Sequence, residues 1–105
     1  MAKDYVEGGK NVFADLGLPA PDELLVKAEL ARRIGVLVEA RGLNQEEAAR
    51  VLQIDQPKVS ALKRGRLAGF SIERLMRFLV LLGNDVEIVV KERPRSRTQA
   101  RLRVA

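Results

Sequence analysis

Gln56, Pro57, Lys58 and Ala61 place an amide, an ammonium and two small apolar groups within six residues of one another. That set suits the edges of base pairs. Gln can bond bidentately to adenine N6 and N7, Lys reaches guanine O6/N7, and small apolar groups suit the thymine methyl. Ser60, in the same stretch, can donate to a phosphate or simply lie exposed at the side. Gln45, Lys63, Arg64 and Arg66 flank the stretch with donors suited to phosphate oxygens. Each has a plainer reading. Gln45 can be an ordinary first-turn residue, Asp55 only a cap, and Arg64 and Arg66 favourable charges at a helix C-terminus.

The elements that must hold these residues are written around them. From Asn44 to Gly65 the sequence carries two helical patterns separated by a three-residue break, Gln53-Ile54-Asp55. Counting Gln45 as the first position, Ala48, Leu52, Ile54, Val59 and Leu62 fall at positions 4, 8, 10, 15 and 18. Such a set packs two short helices steeply against each other, with Ala49 leaving room for the crossing. This is a helix-turn-helix pattern, in which the first helix braces the second and the N-terminal end of the second enters the major groove. Asn44 and Asp55 are good N-caps for the two helices, and Pro57 sits in a first turn, where a missing N–H costs little.

Composition narrows what else the chain could do. Its 105 residues contain no Cys and no His. Disulfides, thiolate or imidazole zinc sites, and Ser-His or Cys-His nucleophiles are therefore impossible within one chain. No carboxylate spacing suggests a metal or a general acid, so neither enzyme activity nor a cofactor is expected. The chain is long enough to bury roughly two-thirds of its unfolded surface, which supports one domain without staples. No apolar run approaches the roughly 20 residues of a membrane span, and a signal-peptide core is missing at the N-terminus, so a cytoplasmic chain with no membrane partner is expected.

The net charge of +5 is unevenly placed. Residues 58–77 hold six basic side chains against Glu73, and residues 91–105 hold six against Glu92, so each segment is +5. The first 57 residues total −3, from seven basic and ten acidic residues. One positive segment thus begins inside the candidate recognition helix, as a phosphate-facing surface requires.

Outside the central motif, residues 1–11 are polar and expected to be flexible. Val12, Phe13, Leu16 and Leu18 read as a short helical turn docking on the main body. A helix from about Pro21 to Arg41 follows, with Leu24, Ala28, Ala31, Ile34, Leu37 and Val38 as its buried stripe and Gly42 as its end. Ser71 caps a last helix carrying Ile72, Leu75, Met76, Phe78, Leu79 and Leu82, closed by Gly83. Then the period changes. Val86, Ile88 and Val90 alternate with Asp85, Glu87, Val89 and Lys91, which reads as one strand. A lone strand needs a partner. The economical one is the same strand of a second copy, making Val86, Ile88 and Val90 dimerisation residues. An added strand from another protein, or packing within the subunit, are the alternatives. Residues 92–105 read as a basic flexible tail whose arginines could meet phosphate, a minor groove, or nothing.

Residues from about Ile34 to Gly83 resemble the helix-turn-helix domain of the XRE (Cro/C1-type repressor) family. The resemblance rests on Arg41-Gly42-Leu43-Asn44-Gln45, Val59-Ser60, Leu62-Lys63-Arg64-Gly65 and Leu75…Leu82-Gly83. Gln45 and Gln56 match family positions at which Gln clamps phosphate and reads adenine. A narrower resemblance, over residues 11–91, is to HigA-like antitoxins. It is carried by the order of the blocks from Asn11 to Leu18, Gln56 to Ser60, Arg64 to Leu67, Phe70 to Leu75 and Asp85 to Val90. One departure is Gln53, where the family turn usually has Gly.

The expected architecture is mainly α: a five-helix, lambda-repressor-like domain over residues 12–91 with one C-terminal strand paired across a dimer. The resemblance implies a homodimer on a palindromic double-stranded operator and a RelE/HigB-like toxin partner, in an autoregulated toxin–antitoxin pair. A stand-alone XRE regulator, or an adaptor that uses the motif for protein contacts only, are the alternatives.

Overall fold

A computed structural model of the chain describes residues 20–105. Four helices are formed there: α1 (Ala20–Ala40), α2 (Gln45–Leu52), α3 (Gln56–Lys63) and α4 (Ile72–Leu81). Each boundary has a local cause. Asp22 and Glu23 lie in the first turn of α1, at its positive end. That helix closes at Gly42, φ +65°, with Leu43 N–H bonded back to Val38 O at 3.1 Å. Asn44 and Glu47 then form a reciprocal capping box on α2, at 2.8 and 2.9 Å. Asp55 and Ser71 cap α3 and α4 by accepting from Lys58 N–H and Arg74 N–H.

The core is wholly apolar: among the described residues no polar or charged residue is buried. Helix α1 packs chiefly on α4, and α2 on α3. Ile34, Leu52, Leu75 and Phe78 are the largest fully buried side chains. Ala48 (0% exposed) and Ala49 (8%) sit among them, where small side chains permit the helices to cross closely. In α1 the buried stripe is Val26, Leu30, Ile34 and Val38. The expected stripe is therefore right only in its C-terminal half: Leu24 is 65% exposed and Ala28 is exposed too. Both choices satisfy a three- or four-residue period, so periodicity alone did not separate them.

The expected five helices and C-terminal strand are not what is found. The described residues hold four helices and no strand. The expected first turn, at 12–18, lies outside them. At 85–91 the alternation gave the wrong element because a strand requires a hydrogen-bonded neighbour, and among the described residues none lies beside this segment. Nor do its apolar residues share a face. Val86 packs against the helical core, whereas Ile88 is 74% and Val90 is 90% exposed. Val86 is thus partly covered by intramolecular packing, unlike its two alternate neighbours.

The basic segment beyond it folds back on α1. Leu102 and Val104 pack against the core, Leu102 N–H donates to Asp22 Oδ2 at 3.1 Å, and Arg33 donates to Ala105 O at 2.6 Å. No helix among the described residues is long and apolar enough to cross a membrane.

Candidate nucleic-acid interface

The two short helices are joined by a tight turn and by one amide. Gln53 takes the left-handed conformation, φ 63° and ψ 41°, with its N–H on Ala49 O, and Ile54 N–H reaches the same oxygen at 3.0 Å. Ile54 then packs against the core, which fixes where α3 starts. Gln45, in the first turn of α2, donates from Nε2 to the main-chain oxygen of Gln56 at 3.0 Å. The N-termini of α2 and α3 are thereby held together.

At that shared end Gln56, Pro57 and Lys58 are exposed, while Val59 and Leu62 (2% and 7% exposed) anchor α3 in the core. The far end of the helix closes in a Schellman motif. Gly65 (φ +75°) bonds to Leu62 O at 3.2 Å and Arg66 N–H to Ala61 O at 2.9 Å. Lys63, Arg64 and Arg66 cluster there, all exposed. Eight helical residues span about 12 Å, so two groups of candidate side chains stand about two turns apart. Ser60 and Ala61 are half-buried, and Ala61 packs against the core, which makes both less available than the sequence suggests.

Two features were not assigned from sequence. Asp55 is more than a cap: its Oδ2 lies 3.4 Å from Lys58 Nζ, and both side chains are exposed. The main-chain N–H of Lys58, more than the lysine charge, holds the Asp55 carboxyl below the ordinary range, with Arg74 adding a smaller push. Arg74 itself rests over the rings of Phe70 and Phe78, at 5.2 and 5.6 Å. The Asp55/Lys58 spacing of three was a legible signal; the Arg74 stacking depends on tertiary packing and was not. Among the described residues no group of three or more His, Cys, Asp or Glu is placed to hold a metal ion.

A short bracing helix, a three-residue turn and a second helix with an exposed polar N-terminus define a helix-turn-helix module. The chain belongs to the helix-turn-helix domain family, whose model matches residues 12–91. It is also similar to a solved structure named "Putative XRE Family Transcriptional Regulator", at 46% identity and a TM-score of 0.77, over 83% of this chain and 98% of that one. No curated protein matches.

Proposed function

We propose that the protein is a sequence-specific, DNA-binding transcriptional regulator that reads duplex DNA with the N-terminal end of α3. The observation that carries this is the Gln45–Gln56 hydrogen bond, which locks the bracing helix to the first residue of α3 while leaving the Gln56, Pro57 and Lys58 side chains exposed. Gln56 and Lys58 contact base edges, with Pro57 and Ala61 offering apolar contact to thymine methyls. Lys63, Arg64 and Arg66 bind phosphate, with Ser60 and Gln45 as further donors. The similar XRE-family structure supports this reading.

An eight-residue reading helix covers only a few base pairs, so the protein acts as a homodimer on a palindromic operator with half-sites about 34 Å apart. The order of sequence blocks favours an antitoxin paired with a RelE/HigB-like toxin, a role that a stand-alone regulator would lack.

Selection from a random duplex library tests the core of this reading. The expected result is a two-fold symmetric consensus, with binding that weakens steeply as salt rises. No enrichment over the starting pool would refute it. Replacing Gln56 by Ala should relax preference at one position per half-site, whereas Arg66→Ala should weaken all sequences alike. Co-purification with the product of the adjacent gene separates antitoxin from stand-alone regulator.

A further inference from the structure

The cap of the recognition helix carries a negative charge that capping does not require. Asn or Ser caps a helix about as well as Asp. A carboxylate at a DNA-facing helix end also repels phosphates, so the charge has a cost unless it meets a partner on the DNA.

The geometry shows what that partner could be. Asp55 Oδ1 accepts from Lys58 N–H at 2.9 Å, which leaves Oδ2 directed toward Lys58 Nζ at 3.4 Å. The Asp55 side chain is 58% exposed and that of Lys58 is 50% exposed, so both retain open bonding directions. The pair therefore presents an acceptor-only group beside a donor-only group, immediately adjoining Gln56. The major-groove edge of a C·G pair presents the complement: the N4 donor of cytosine beside the O6 and N7 acceptors of guanine.

We infer that Asp55 is a base-reading residue, and that Asp55 and Lys58 together select a C·G pair by accepting from cytosine N4 and donating to guanine O6/N7. The inference rests on the DNA-reading function proposed above. An ionised carboxylate cannot donate, so an acceptor edge in place of cytosine N4 leaves a charge facing lone pairs. That makes discrimination sharper here than at Gln56, whose amide can satisfy either kind of partner.

The test compares the wild-type chain, Asp55→Asn and Lys58→Met on the duplex that the wild type selects from a random library. Asn preserves the cap, and a thermal melt of each variant confirms folding. In the wild type, replacing the C·G pair should cost about tenfold in affinity; in Asp55→Asn and in Lys58→Met, each of which removes one of the two contacts, the same replacement should cost only about threefold. Discrimination elsewhere in the site should be unchanged, and affinity for random duplex should rise with loss of the charge. If Asp55→Asn selects the same sequence with undiminished discrimination at every position, or gains affinity for all sequences equally, Asp55 is only a cap and the inference fails. If the wild type selects nothing, the DNA-reading function fails first and takes this inference with it.

Discussion

Gln53→Gly should stabilise the protein. Gln53 is the one non-glycine described residue with positive φ, at 63°, and it sits in the turn that sets α3 against α2. Its side chain is exposed, so little packing is lost with it. The left-handed conformation costs an L-residue roughly 1–2 kcal/mol through the clash of Cβ with the following carbonyl oxygen. Glycine escapes that clash but gains freedom in the unfolded chain, which takes back roughly 0.5–1 kcal/mol. The net gain should be about 0.5–1 kcal/mol, which in a domain of this size raises Tm by about 3–6 °C. Thermal and urea unfolding followed by far-UV circular dichroism would measure it. Gln53→Ala is the control: it removes the amide but keeps Cβ, so it should be no more stable than the wild type. If glycine fails to stabilise at an unchanged urea m-value, or if alanine stabilises equally, the strain argument is wrong.

Other residues give independent checks. Gly65→Ala should destabilise by about 1 kcal/mol, because an added Cβ would meet nothing within 4 Å and only the φ of +75° opposes it. Leu75→Ala, at a position with no exposure, should cost about 2–5 kcal/mol in urea unfolding. Asn44→Ala breaks the capping box on α2 and should cost about 1 kcal/mol. Glu29 is held down to about 2 from its ordinary 4.5, first by its hydrogen bond from Arg32 and then by that from Arg33. A folded-state pKa below the unfolded one gives stability that is full above pH 4.5 and lost as pH falls toward 2. Urea midpoints of Glu29→Gln should therefore lie below the wild type at neutral pH and converge with it near pH 2.

The central motif was legible because its signals are local. Asn44, Asp55 and Ser71 announce helix starts through side-chain oxygens that reach only three residues ahead, and Gly42, Gly65 and Gly83 stand where φ is positive. Gln53 shows where that logic ran out: without the family's glycine the turn could be strained or differently shaped, and the left-handed conformation found shows it to be the strained one. What failed was non-local. Residues 85–91 alternate like a strand, but alternation cannot supply the neighbouring chain that makes one. Leu24 and Val26 are equally apolar, and only the tertiary packing around α1 decides which is covered. Leu102 and Val104 form no pattern of their own, and their seat against the core depends on contacts some eighty residues away, such as Asp22 with Leu102.

The bond from Gln45 ends on the main-chain oxygen of residue 56 and not on its side chain. Every amino acid offers that oxygen, so the clasp between the two helices is indifferent to what occupies position 56. Among the described residues the core beneath contains no buried polar side chain that a change at the tip could leave unpaired. Mechanical support and the proposed sequence reading therefore fall to different atoms of the same residue. A scaffold divided this way can be given a new target by exchanging exposed side chains at the tip of α3, with the packing below left as it stands.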